Sequence, residues 1–248
     1  MAGNTSQPGA TVTSRVLALL GAFDAQHRRL TLTDMARRAE LPAPTAHRLV
    51  AELEAWGALT RQESGDYVIG RRLWNVGLLA PVQTGLRETA SPFLHDLYGA
   101  TLATVQIAVR DGDAALYLDR LSGHASVPVV SRLGSRLPLH ATGVGKALLA
   151  HAPRDVQEHV LSHLTRITAH TIVHAGVLAT QLERVRRDGY ATTTEEMTLG
   201  ACSVAAPVFR GDDVIAALGF VVPSLKGNRP RLVSALRVAA QGISRSLV

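Results

Sequence analysis

Residues 30–70, LTLTDMARRAELPAPTAHRLVAELEAWGALTRQESGDYVIG, restrict this chain more than any other segment. TDMARRA places Met35, Ala36 and Ala39 on one helical face, with Thr33 as the expected N-cap and a short extended piece, Leu30–Leu32, before it. Glu40–Pro44 reads as a turn. A second periodic run from Pro44 to Trp56 turns Ala46, Leu49, Val50 and Leu53 inward and stops at Gly57. A proline in a first helical turn costs little, because its missing N–H would have no partner there. ALTRQESGDYVIG then gives two short strands around Ser64–Gly65–Asp66. A further helix, SRVLALLGAF, precedes this segment, with Val16, Leu20 and Phe23 on one stripe and Thr13 or Ser14 as cap.

Three short helices, a tight turn before the third and a hairpin after it describe a winged helix-turn-helix. In that arrangement the third helix enters the major groove of DNA and its first turns reach base edges. Thr45, His47 and Arg48 lie opposite the apolar face, next to Pro44. An arginine can pair in bidentate fashion with guanine, and a threonine methyl can touch thymine. Arg37 and Arg38 on the second helix and Arg61 on the wing are candidate phosphate contacts. Charge alone does not make the case: residues 1–88 hold ten Arg against eight Asp and Glu, within a net charge of +6. The element order does. The competing reading keeps the same helices as a protein-interaction module attached to a ligand-binding domain or an enzyme.

The remainder alternates in type. Residues 1–11 are small and polar and read as a disordered tail, 12–71 as the winged domain, 72–87 as a linker helix weakened by Gly77 and broken or kinked at Pro81, and 88–248 as a second domain. Leu73, Trp74, Leu78 and Leu79 give the linker an apolar face suited to dimerisation. The second domain reads as α+β with a mostly antiparallel sheet: a helix at SPFLHDLYGAT, a hairpin around Asp111–Gly112–Asp113, a strand at VPVVSRL, three helices, a strand after Gly189, a hairpin around Gly211–Asp212–Asp213 and a closing helix. No apolar run approaches the ~20 residues of a membrane span. The N-terminus has no basic-then-apolar leader, and the single cysteine, Cys202, fits a reducing compartment, so a cytoplasmic protein is expected.

Catalytic signatures are missing. There is no G-x-S-x-G, and Glu195 and Glu196, adjacent on an expected strand, would point to opposite faces. His159/His163 and His170/His174 are four apart but lack H-E-x-x-H, and i, i+4 histidines on a helix are more often a solvated face. No catalytic residue, metal or cofactor is expected. PLHATGVGKALLA is the most informative stretch of the second domain. Thr142 can cap a helix starting at Gly143, whose free N–H groups favour an anion. It is not a phosphate loop, since His140 and Ala147 stand where that motif needs Gly and Ser or Thr. The alternative is a Gly-permitted helix start buried for packing alone.

LTLTDMARRAELPAPTAHRLVAELEAWGAL…YVIG resembles the N-terminal domain of IclR-type bacterial transcriptional regulators. LPLHATGVGKALLA, GYATTTEE and CSVAAPVF resemble the three signatures of that family's effector-binding domain, in order and spacing, so the likeness spans roughly residues 13 to 247. The resemblance implies a winged helix-turn-helix, a linker helix and a GAF/profilin-like effector domain. It further implies double-stranded operator DNA and a small organic effector as partners, with assembly as a homodimer or dimer of dimers. It places one pocket wall at Leu139, Thr142, Gly143 and Val144, and the rest at Thr193, Ser203, Gly219 and Val221, with Cys202 adjoining. Alternation along the strand lets only one of Cys202 and Ser203 point inward. Thr, Ser, Gly and Val suit an aromatic acid or related amide better than a two- or three-carbon acid, with Gly219 leaving room for its body. One departure is Pro44, where the family usually has a polar residue, often Ser; the operator sequence is therefore not implied.

Overall fold

The computed structural model describes residues 11–24, 26–78, 84–123, 127 and 130–247. The chain divides into two compact units, Met1–Val82 and Gln83–Val248. The first holds α1 (Val12–Gly21), α2 (Leu32–Arg38), α3 (Ala43–Trp56), β1 (Leu59–Arg61), β2 (Tyr67–Ile69) and α4 (Arg71–Leu78). Its core gathers Leu19, Met35, Ala36, Ala46, Leu49, Val50 and Leu53, with Val16, Leu20 and Phe23 half-buried at its margin.

Both expected caps move two or more residues toward the N-terminus. Thr11, not Thr13 or Ser14, accepts a hydrogen bond from the Ser14 amide and opens α1. Thr31, not Thr33, opens α2: its Oγ1 accepts from the Asp34 amide at 3.1 Å and donates to the Asp34 carboxylate at 2.7 Å. The cause is the wing. Leu30 exchanges backbone hydrogen bonds with Tyr67 as an isolated bridge, so the extended piece ends there and the helix starts directly after its cap. Gly57 ends α3 in the left-handed region (φ 85°), which a side chain would resist. Trp74 and Val76 on α4 are exposed and Leu73 is half-buried. The linker segment that contains Leu79 and Pro81, the side chain of Leu78, and the tail up to residue 10 lie outside the described residues. Residues 84–87 are not the end of a linker helix but the start of α5 (Thr84–Thr101), which runs through Pro92.

The second unit is built on six strands, β3 (Thr104–Asp111), β4 (Ala114–Leu121), β5 (Arg136–Pro138), β6 (Ala191–Thr194), β7 (Cys202–Arg210) and β8 (Asp213–Val222), in the order β5-β4-β3-β8-β7-β6 with every neighbour antiparallel. Residues 130–133, read as part of a strand, form none; a turn closed by Ser135 and Gly134 (φ 77°) delays pairing to Arg136. One face of the sheet (Val105, Ile107, Val204, Phe220) packs on α5 and α9 (Arg229–Ser246). The other carries the small residues Ala108, Ala205 and Ala217 under α6 (Gly143–Ala150), beside α7 (Arg154–Ser162) and α8 (Ala175–Asp188). Small residues on that face let the start of α6 approach the sheet closely.

Candidate nucleic-acid interface and ligand cavity

On α3, Pro44, His47 and Arg48 are exposed and Thr45 is half-buried, opposite the buried Ala46, Leu49, Val50 and Leu53. Pro42 takes the N-cap position without a side-chain hydrogen bond, so Pro44 falls in the first turn. Arg48 keeps 62 % of its side chain exposed and pairs with Glu52 at 3.0 Å, an i, i+4 contact worth at most about 1 kcal/mol. Its guanidinium can exchange that partner for a base edge at little cost. Arg61 on the wing is exposed and lies over the Tyr67 ring. Arg37 is exposed and paired with Asp34.

Arg38 departs from the expectation of a phosphate contact. Its Nε donates to the Ala22 carbonyl at 2.8 Å and its Nη2 to Asp24 at 2.7 Å, tying α2 to the end of α1. The guanidinium that would meet a phosphate is engaged inside the domain.

In the second unit a cavity of about 370 Å³, counted with its open mouth, lies between the start of α6 and the sheet. Thr142, Gly143, Thr193, Cys202, Ser203 and Val221 line it. Thr142 accepts from the Gly145 amide as the α6 cap, and Thr193 and Ser203 share a 2.5 Å hydrogen bond between their hydroxyls. Burial pushes the Tyr117 hydroxyl above its ordinary pKa, and the hydrogen bond with Thr142 offsets only part of that, so the ring stays neutral. The cavity surface is therefore made of neutral hydrogen-bonding groups and apolar carbons, closed at one end by a helix N-terminus.

Three expected wall residues do not reach it. Leu139 and Val144 are buried in the α6 core. Gly219 leaves no room for a ligand: a Cβ there would lie 3.0 Å from Val144 Cγ1 and 3.2 Å from Ala205 Cβ. The glycine admits α6, not a ligand. Cys202 borders the cavity, yet its thiol donates toward the Pro223 carbonyl at 3.7 Å within the opposite core, and Ser203 takes the inward position.

The sequence reading missed Gln106, Tyr117, Ser131, Met197, Thr198 and Ala201, which also line the cavity. Gln106 had a signal: within ATVQIAV it is the one long polar side chain, and only Thr104 is also polar. Glu195 and Glu196 follow β6 rather than continue it, since Glu195 turns into the left-handed region (φ 55°). Glu196 then enters the interior to meet Lys146. Burial draws the Glu196 carboxyl up and the Lys146 ammonium down, each opposed by the other's charge. His159 and His163 stack with ring centroids 4.5 Å apart, and the His163 Nδ1 lies 2.8 Å from the His159 carbonyl. His170 and His174 precede α8 and share no helix.

Residues 12–63 match the IclR helix-turn-helix domain, and residues 80–245 match the family described as bacterial transcriptional regulator IclR C-terminal. The chain belongs to the IclR family. It is similar to the HTH-type transcriptional regulator KdgR of Dickeya chrysanthemi, 30 % identical over 240 residues that cover 93 % of this chain and 79 % of that protein. It is 31 % identical to the HTH-type transcriptional repressor AllR of Salmonella typhi, covering 98 % and 92 %. Among solved structures, an IclR homolog from Microbacterium hydrocarbonoxydans complexed with 4-hydroxybenzoate is 35 % identical, covers 96 % of this chain and 99 % of its own, and superposes with a TM-score of 0.91. This IclR-family chain is thus a DNA-binding transcriptional regulator with an effector domain. The competing reading, a helix-turn-helix kept as a protein-interaction module on a ligand-binding domain or an enzyme, gives way to that. Among the described residues, no helix is long and apolar enough to cross a membrane.

Proposed function

We propose that this regulator is a cytoplasmic repressor of a catabolic operon and leaves its operator on binding an aromatic acid or related amide. The observation that carries this reading is the cavity at the start of α6. Its lining combines the N-terminus of a helix with neutral hydroxyls and apolar carbons, a surface suited to an oxygen-bearing head on an apolar ring. The 4-hydroxybenzoate held by the Microbacterium homolog supports the same class of ligand. Thr142, Gly143, Thr193, Ser203 and Val221 form the effector contacts. Thr45, His47 and Arg48 read bases, with Arg37 and Arg61 on phosphates. One recognition helix reads too few base pairs, so a homodimer or dimer of dimers spans half-sites about 34 Å apart or multiples of that. The exposed Trp74 and Val76 of α4 suit that assembly.

Ligand can shift DNA affinity only through different affinities for two arrangements of the protein. The test is fluorescence anisotropy on duplexes selected from a random pool by the full-length protein. Added 4-hydroxybenzoate should weaken binding in proportion to its occupancy and raise the melting temperature. A protein whose DNA affinity and melting temperature ignore 4-hydroxybenzoate, benzoate and benzamide alike sinks the proposal.

A further inference from the structure

We propose that the cleft between the end of α8 and the start of α9 is a second ligand site, in which Arg184, Arg187 and Arg229 bind a phosphate dianion. It shares no lining residue with the effector cavity. The cleft encloses about 1090 Å³ counted with its open mouth, near the upper end of the roughly 300–1,000 Å³ of small-molecule sites. The three arginines line it together with Gln181, Tyr190 and Thr192. All three arginines are exposed, and the Arg187 side chain keeps 72 % of its surface open. A ligand entering from solvent therefore meets them directly.

Unbalanced charge carries the proposal. Among the described lining residues Asp188 is the one carboxylate. Arg187 already holds it, with Nε and Nη2 at 2.8 and 3.3 Å from its oxygens. That bond keeps the Asp188 carboxyl below its ordinary pKa, and Arg184 and Arg237 act in the same direction. Arg184 and Arg229 make no side-chain hydrogen bond or ion pair with any described residue. Lys146 takes no part: its side chain is 1 % exposed beneath the cleft, and its ammonium is engaged by Glu196 and Gln181. Three guanidiniums against one carboxylate leave an excess of two positive charges. A carboxylate ligand would cancel half of that excess, whereas a phosphate monoester, with a charge of about −1.5 to −2 at pH 7, cancels nearly all of it.

The placement of the arginines on their helices adds to the field. Arg187 stands in the last turn of α8, where the helix dipole favours a cation. Arg229 stands at the opposite kind of end. With Arg231 it occupies the first turn of α9, which holds no acidic residue, and the Asn228 cap makes no side-chain hydrogen bond. A helix start favours anions, so two cations there raise the local positive potential instead of offsetting it. An anion beside Arg229 relieves both terms. Guanidinium forks present paired N–H donors that match two phosphate oxygens at once. Tyr190 and Thr192, half-buried in the wall, add hydroxyl-bearing side chains to the lining.

Isothermal titration of the full-length protein with inorganic phosphate and glycerol 3-phosphate, at matched ionic strength and with acetate as the singly charged control, tests this. The wild type should bind at least one of the two phosphates saturably, with a Kd of about 1 mM or tighter, and acetate about tenfold or more weakly. The tighter of the two shows whether the site takes the free ion or an ester. Arg184→Gln/Arg229→Gln should weaken phosphate binding about tenfold or more, through the loss of charge-assisted hydrogen bonds. Its ligand-free melting temperature should not fall, because neither guanidinium has a partner to lose, so lost binding cannot be blamed on unfolding. Arg154→Gln/Arg210→Gln removes the same charge from exposed positions outside the cleft and should bind phosphate as the wild type does. No saturable phosphate binding by the wild type, full affinity in Arg184→Gln/Arg229→Gln, or an equal loss in the control variant each overturns the site. A wild type that binds no phosphate, with a double variant that loses affinity for selected duplexes, gives these arginines to the DNA backbone and overturns it as well. None of these results touches the effector reading, which stands or falls on the aromatic ligands and the other cavity.

Discussion

Lys146 Nζ lies 2.6 and 2.8 Å from the two carboxylate oxygens of Glu196, and the two side chains are only 1 % and 6 % exposed. Gln181 accepts a third hydrogen bond from the same ammonium at 2.7 Å. The pair joins the second turn of α6 to the loop after β6. That loop places Met197, Thr198 and Ala201 on the cavity, and its backbone is further held where Thr168 and Thr171 donate to the Glu195 and Glu196 carbonyls. Two opposite walls of the cavity therefore share one buried electrostatic link.

Breaking one side of that link should be expensive. Lys146→Met leaves Glu196 buried without a counter-charge and should cost about 3–5 kcal/mol of stability in urea titration. The double variant Lys146→Met/Glu196→Leu should recover most of it, because no charge is then stranded. The sign with pH follows from burial, which already raises the Glu196 carboxyl pKa. Without Lys146 that rise is larger, the folded state takes up a proton more readily than the unfolded chain, and the deficit of Lys146→Met shrinks as pH falls. A deficit that grows toward acid pH contradicts this account.

Asp24 gives the opposite sign in the first unit. Its carboxylate takes a hydrogen bond from the His27 ring and others from the Gln26 and His27 amides, and its pKa is lowered to about 2 from 3.8. A depressed folded-state pKa contributes stability that is complete above the unfolded value and is lost as pH falls through the folded one. Stability of the first unit should therefore decline between about pH 4 and about pH 2, and Asp24→Asn should flatten that decline. The variant also loses the acceptor that holds Arg38. Denaturation monitored by Trp56 and Trp74 fluorescence at stepped pH reads both effects.

Arg48 should act on DNA alone. It is exposed, and its one ion pair is a surface contact. Arg48→Ala should keep the wild-type melting temperature and weaken binding to selected duplexes by about 1–3 kcal/mol per half-site, with scrambled duplexes little affected. Arg38→Ala should do the reverse, lowering stability through the lost bonds to Ala22 and Asp24. Equal DNA defects in the two variants would show that Arg38 leaves its partners to reach a phosphate.

The elements themselves were readable because their signals are local. Gly57, the apolar period of α3 and the Gly65 and Gly112 turns each act within a few residues. Caps were misread where a distant partner set the phase: Thr31 caps α2 because Leu30 bridges to Tyr67, a contact across 37 positions. The cavity was half legible. The α6 start and the strand hydroxyls follow from motif and alternation, and Gln106 stands out as polar in its strand, but that it, Tyr117 and Ser131 meet at the cavity follows only from sheet order, which no local pattern contains. Lys146 carries no local signal of its partner: every residue of its helix is buried, and its charge is met by Glu196, 50 residues on.

Gly219 shows how a site residue can be mistaken when only its size is considered. An absent side chain suggests space, yet the volume a Cβ would occupy is taken by Val144 of α6 at 3.0 Å and bounded by Ala205 Cβ and the Val204 carbonyl at 3.2 Å. Gly219→Ala should therefore overpack the contact and cost about 1–3 kcal/mol. Backbone carbonyl and strand cannot yield, but the valine methyl can. Val144→Ala alone should destabilise by leaving a void, and the double variant Gly219→Ala/Val144→Ala should be more stable than the sum of the two single changes predicts, with a coupling of about 0.5–3 kcal/mol. Because the cavity lining excludes both residues, ligand affinity of the double variant, measured with 4-hydroxybenzoate, should stay near wild type. Strict additivity in urea titration, together with lost ligand binding in Gly219→Ala at full stability, would return Gly219 to the pocket wall.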